Sequence, residues 1–222
     1  MTPGRLAMVA VVGALAFTAA ATSAPSTAPG AVFRLKPDLR MCPSPLCGGF
    51  FVSRVNRTTT TCADGTSRMW CYVAALDGWP QAITPSAQAH VRAAEQTGGL
   101  LLRGRIVGWP SSEFRSLGRF AATAGWLAAT GAAWNGSVYL VSDTGVRCVR
   151  APCFSLRTSI VNTTRTARAS GLNLSGVASA PALVRKAQAA LTAVGLLVAG
   201  TIRRDADGGR TVVAKQFFLA AV

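Results

Sequence analysis

Histidine and acid are the scarce residues here. The 222-residue sequence holds one histidine, His90, and eight Asp or Glu against 23 Lys or Arg. Each shortage removes a chemistry. Acyl transfer by a serine or cysteine nucleophile normally needs a neighbouring base, most often histidine. His90 falls in the middle of a stretch that reads as a helix, where an exposed or half-packed position is its expected role. A structural zinc site needs Cys and His pairs at short spacing with further ligands, so no metal is expected, and the Cys-x-x-Cys of thiol oxidoreductases is missing too. Glycoside hydrolysis needs two facing carboxylates. Four of the eight acids, Asp64, Asp143, Asp205 and Asp207, sit beside or near glycine as turn formers, and among the rest Asp77 and Glu113 are the candidate pair. No Gly-x-Ser-x-Gly elbow, Walker loop, Gly-x-Gly-x-x-Gly turn or His-Glu-x-x-His helix occurs. No cofactor is implied, and no catalytic residue stands out.

Long apolar runs are also missing. The longest, Leu6 to Ala21, falls short of the roughly 20 residues that span a bilayer. With Arg5 before it and small residues through Ala24 after it, the run reads as a secretory signal peptide over residues 1–24, cut after Ala21 or Ala24. Residues 25–32, rich in Pro, Ala, Ser and Thr, read as a flexible leader. Six cysteines, an even number, fit an oxidising destination. The chain is therefore expected to be secreted or periplasmic, with no transmembrane span in its mature form.

A short cysteine loop occurs twice, as Cys42-Pro43-Ser44-Pro45-Leu46-Cys47 and as Cys148-Val149-Arg150-Ala151-Pro152-Cys153. Placing Cys148 on Cys42, an offset of 106 residues (148 − 42), lays Val161-Asn162 on Val55-Asn56 without a gap. That register predicts two related units. If they fold alike, Cys42 pairs with Cys47 and Cys148 with Cys153, which leaves Cys62 and Cys71 to clip the turn between them. Pattern and punctuation then give the elements. Strands are expected over 32–39, 48–56, 70–76, 100–107 and 120–129, and again over 138–141, 154–162, 172–177, 196–203 and 211–219. One helix follows Thr84 and Pro85 and stops at Gly98-Gly99. A second follows Ser179 as cap, with Leu183, Ala187, Leu191 and Val194 as its buried stripe and Gly195 as its stop. The expected fold is α+β, a β-rich tandem repeat of strand–strand–strand–helix–strand–strand, either an OB-like barrel or a meander. The repeats cover 33–134 and 135–222, as separate beads or packed into one compact domain.

The formal net charge is +15, and losing Arg5 with the leader makes it +14. Such an excess attracts polyanions. The arginines are scattered, without interleaved aromatics, so specific nucleic-acid binding is not expected. The expected partner is an anionic polymer or an envelope component, with Arg103, Arg105, Arg147 and Arg150 as candidate contacts. Asn56, Asn135, Asn162 and Asn173 open Asn-x-Ser/Thr sequons. Each cysteine loop reads as a staple between strands, with a contact loop as the sharper alternative.

The run Arg40-Met41-Cys42-Pro43-Ser44-Pro45-Leu46-Cys47-Gly48-Gly49-Phe50-Phe51-Val52 resembles a family of uncharacterised exported bacterial proteins common in myxobacteria. So do Cys62-Ala63-Asp64-Gly65, Cys71-Tyr72-Val73-Ala74, Asp143-Thr144-Gly145-Val146-Arg147-Cys148 with Ala151-Pro152-Cys153, and Leu196-Leu197-Val198-Ala199-Gly200. The resemblance covers about residues 33–222 and implies export and a shared fold, but no activity. The reading is an exported, disulfide-stapled, strongly basic, non-enzymatic binding or envelope-associated protein. The alternatives are a secreted hydrolase built on His90 or an Asp77/Glu113 pair, and an inhibitor presenting Leu46 or Arg150 on a disulfide loop.

Overall fold

The computed structural model describes residues 30–78, 85–111, 113, 114 and 116–221. Over these residues the fold is α+β and mostly β, one large sheet system with two helices. In chain order the elements are β1 (Ala31–Pro37), β2 (Phe50–Arg54), β3 (Thr60–Thr61), β4 (Ser67–Arg68), β5 (Cys71–Asp77), α1 (Pro85–Thr97), β6 (Leu100–Gly108) and β7 (Gly118–Ala128). They continue as β8 (Ser137–Asp143), β9 (Leu156–Ile160), β10 (Thr166–Ala169), β11 (Gly171–Asn173), α2 (Pro181–Ala193), β12 (Leu196–Arg204) and β13 (Arg210–Ala220).

The pairings run in rings. β1 pairs antiparallel with β2 and β6, β2 with β5, and β6 with β7, while β5 and β7 join in parallel. In the second set β8 pairs with β9 and β12, β9 with β10, and β12 with β13, while β11, which follows β10 after the single residue Ser170, lies parallel to β13 and so closes the set. One short antiparallel ladder, Phe218 opposite Ala128, Leu219 opposite Leu127 and Ala220 opposite Trp126, links β13 to β7 across the two rings.

Each ring encloses its own core. Phe33, Leu35, Val52, Val73, Leu100, Leu102 and Phe120 fill the first, and Val91 of α1 plugs its end. Val141, Leu156, Leu196, Val198, Val212 and Phe217 fill the second, plugged by Ala187 of α2. A third cluster, with Val32, Val55, Leu101, Val138, Leu197 and Phe218, lies between the rings. This explains why Leu100-Leu101-Leu102 and Leu196 to Ala199 are buried without alternation. One face of each strand looks into its ring and the other into the joint, and a strand covered on both faces reads as a continuous apolar run.

Two glycines sit at register shifts of the nine-residue strands β6 and β12. β6 shifts register at Arg103/Gly104 and β12 at Ala199/Gly200. A Cβ at Gly104 would collide with the carbonyl of Ala121, and one at Gly200 with that of Val213. Only glycine lets the partner backbone approach so closely.

Several expectations need correction. β10 lies outside the expected strands, because Thr166-Ala167-Arg168-Ala169 carries no apolar alternation. It forms by pairing with β9 and burying Ala169 completely. Ser179 does not cap α2. The N-cap is Ala180, in extended conformation without a side-chain cap, and the Ser179 hydroxyl is buried with no partner. Val194 leaves the helical stripe, since α2 ends at Ala193 and Val194 is 80% exposed. Gly195 takes the left-handed conformation (φ 88°) and donates its N–H to the Ala190 carbonyl at 2.8 Å. The expected cap of α1, Thr84, lies outside the described residues. No helix among the described residues is long and apolar enough to cross a membrane.

Candidate functional site

The joint between the rings is held by two asparagines that reach across it. Asn56, at the end of β2, donates from Nδ2 to the carbonyls of Val138 (2.7 Å) and Val161 (2.9 Å), and its Oδ1 accepts the Val138 N–H at 2.8 Å. Asn162, after β9, does the same in the other direction. Its Nδ2 donates to the carbonyls of Val32 (2.7 Å) and Val55 (2.9 Å), and its Oδ1 accepts the Val32 N–H at 2.9 Å. Both sit in the left-handed region, with φ of 58° and 61°, which asparagine tolerates better than other residues with a Cβ. These amide nitrogens are committed to backbone carbonyls, so in the folded chain the sequons at Asn56 and Asn162 serve structure. Arg57 adds to the clasp by donating to the Asn162 carbonyl.

Beside this clasp a cleft of about 1280 Å³ opens along the joint. Strands β1 and β6 supply one wall, and β8, β9 and the turn to β10 the other. Arg54, Arg57, Arg103, Arg105 and Arg165 line it, together with the hydroxyls of Ser137, Ser159, Thr163 and Thr164. Among the described residues that line it there is no carboxylate. The Nε of Arg54 is buried without a hydrogen-bond partner. The Arg103 guanidinium lies 5.1 Å from the centre of the Trp126 ring, a contact that holds a cation in place without neutralising it.

Of the four arginines expected to contact anions, Arg103 and Arg105 line this cleft. Arg147 and Arg150 do not line it; they sit on the second cysteine loop, where Arg147 makes a two-pronged ion pair with Asp143 at 2.8–3.0 Å. That pair holds the Asp143 carboxyl below its ordinary range and raises the Arg147 guanidinium. Arg54, Arg57 and Arg165 were not singled out in the sequence. The available signal was the shared Val-Asn pair, which places Arg54, Arg57 and Arg165 close to the two clasp asparagines.

Asp77 pairs with Arg119 at 3.1 Å, Glu113 is exposed in the turn between β6 and β7, and the His90 side chain lies outside the described residues. The three disulfides are Cys42–Cys47, Cys62–Cys71 and Cys148–Cys153. The first loop is further pinned. Arg40 grips Asp38 through Nε and Nη2, and also donates from Nη2 to the Leu46 carbonyl. Tyr72 donates its hydroxyl to the Pro45 carbonyl at 2.8 Å. The Arg40 hydrogen bond lowers the Asp38 carboxyl, and burial raises the Tyr72 phenol.

Fold and site together define a disulfide-stapled, β-rich α+β domain with an arginine-lined cleft at its internal joint. The chain belongs to the family described as Domain of unknown function (DUF6748), whose model matches residues 31–222. No curated protein and no solved structure matches it.

Proposed function

We propose that this chain is an exported, non-enzymatic binding protein whose cleft takes an anionic polymer of the cell envelope or its surroundings. The observation that carries the reading is the cleft lining, five arginines and no carboxylate among the described residues. Like charges gathered around a concave surface focus the field and attract a polyanion. The hydroxyls between them supply neutral donors for the same ligand, and a groove along a joint suits a chain better than a compact anion. Three disulfides support an oxidising destination, and the basic, apolar start of the sequence supports export.

We further propose that residues 33–134 and 135–222 are copies of one ancestral OB-type barrel. The ring pairings, with first strand against second and fourth and third parallel to fifth, support this. So does the reciprocity of Asn56 and Asn162 at the 106-residue offset. On this view the cleft exists only because two copies meet.

The test is binding of fluorescent dextran sulfate, with uncharged dextran as control, by wild type and by a chain carrying Arg103→Gln and Arg105→Gln. Binding that weakens with salt, ignores dextran and falls about tenfold or more in the variant is the expected result. Equal affinity of variant and wild type, or no binding even at low salt, refutes it.

A further inference from the structure

The geometry points to the tip of the first cysteine loop, backed by the outer face of β1–β2–β5, as a docking surface for an anionic phospholipid bilayer. Exposed large apolar residues scattered singly need no explanation. Here they gather at one end of the first ring. Met41 is 100% exposed, Leu39 84% and Leu46 48%, all within one short loop. The loop is not loose, since the Cys42–Cys47 bridge, the Asp38–Arg40 ion pair and the Tyr72 hydrogen bond hold it to the barrel. A rigid tip loses little conformational entropy when it inserts.

Next to the apolar tip, cations stack on aromatic rings. Lys36 sits 5.4 Å from the Phe51 ring and 4.6 Å from the Trp70 ring. Arg34 lies 4.8 Å from Trp70, and Arg40 is 5.1 Å from Tyr72. Asp38 is the carboxylate within this group, and it is engaged by Arg40, so the patch remains net positive. An apolar tip set beside Trp, Tyr, Lys and Arg matches what a bilayer surface offers: an acyl boundary for the tip, an interface for the rings and anionic headgroups for the cations. A soluble sulfated or phosphorylated polymer would gain nothing from covering Met41 and Leu39, which favours the lipid surface. None of these residues lines the cleft, so this docking does not rest on the polymer reading.

The experiment uses the chain from residue 25 onward. It retains every described element and all three apolar clusters, and it lacks the 6–21 run that would itself partition into lipid. Co-flotation with vesicles of equal parts phosphatidylglycerol and phosphatidylcholine is compared with pure phosphatidylcholine. The expected result is binding to the anionic vesicles alone. Leu39→Ser with Met41→Ser should lower the partition about tenfold or more at an unchanged melting temperature, because both side chains already face solvent. Arg34→Gln with Lys36→Gln should lower it by about fivefold per residue. Arg103→Gln with Arg105→Gln should leave it unchanged. Equal flotation of the Leu39/Met41 variant and wild type overturns the proposal, as does no binding at low salt. A loss of dextran sulfate binding in the Leu39/Met41 variant would assign the tip to a soluble polymer instead, and that too overturns it.

Discussion

Replacing Asn162 by alanine removes three hydrogen bonds at once, two donated to the carbonyls of Val32 and Val55 and one accepted from the Val32 N–H. At about 1 kcal/mol net each, their loss costs about 3 kcal/mol. The backbone adds a second cost. Alanine at φ 61° sits in the left-handed region at about 1–2 kcal/mol, so Asn162→Ala should destabilise the fold by about 4–5 kcal/mol. Asn162 also lines the cleft. Water therefore reaches the vacated backbone groups, and no full desolvation penalty is added. Asn162→Gly keeps the φ without strain and should cost about 3 kcal/mol. Asn162→Asp keeps the acceptor for Val32 N–H but turns a carboxylate oxygen toward two carbonyls. It should cost more than alanine at neutral pH; the two carbonyls raise the folded pKa above the ordinary carboxyl value, so stability should recover as pH falls through that raised value toward about 4, where the acid has regained a proton to donate. Urea unfolding of the four chains at pH 7, with aspartate repeated at low pH, measures the series. A cost below about 1 kcal/mol for alanine, or aspartate as stable as glycine, would refute the clasp as the element that joins the rings.

Other consequences are as direct. Gly200→Ala puts a methyl against the Val213 carbonyl and should cost about 3 kcal/mol or prevent folding, whereas Gly208→Ala, with open space around it, should cost only its φ of 83°; thermal melts separate the two. Cys62→Ala with Cys71→Ala opens a crosslink of sequence separation 9 and should lower stability by about 2–3 kcal/mol, read from the urea midpoint with and without reductant. Arg40 and Arg147 hold the carboxyls of Asp38 and Asp143 below their ordinary range. Their stabilisation is therefore complete above about pH 4 and is lost as pH falls through the lowered folded values. Asp38→Asn with Asp143→Asn should flatten that acid limb, and the unfolding midpoints of variant and wild type should converge toward pH 2; parallel acid limbs would sink the assignment.

Much of the architecture was legible along the chain. Pro85 and Pro181 open the helices and Gly98 and Gly195 close them, because proline at a first turn and glycine at a positive φ are local requirements. The strands of both rings followed from apolar and β-branched runs, except β10. Its four residues, Thr166 to Ala169, have no pattern of their own and become a strand only because β9 offers an edge. Ser179 misled for a related reason: a capping side chain was present, but Pro181 shifted the helix start so that Ala180 became the N-cap.

The cleft was legible in part. Arg103 and Arg105, named among the candidate anion contacts, stand two residues apart on β6, a spacing that puts both on one face of a strand. Nothing local connects them to Arg54 on β2 or to Arg165 beyond β9, because those contacts need the two rings to meet. The matched Val55-Asn56 and Val161-Asn162 suggested equivalence between two stretches of chain, but an asparagine side chain says nothing of the carbonyl it will seek.

What the amino-acid order determined alone is whatever depends on near neighbours or on composition: helix limits, most strands, turn glycines, and an excess of positive charge. What only the folded chain decided is where those charges stand. Residues over 100 positions apart, such as Val32 and Asn162, come together through ring closure and a shared apolar joint, and these long-range terms leave no period in the sequence. The cleft and the apolar tip are surfaces, and a surface exists only once the chain has chosen what to bury.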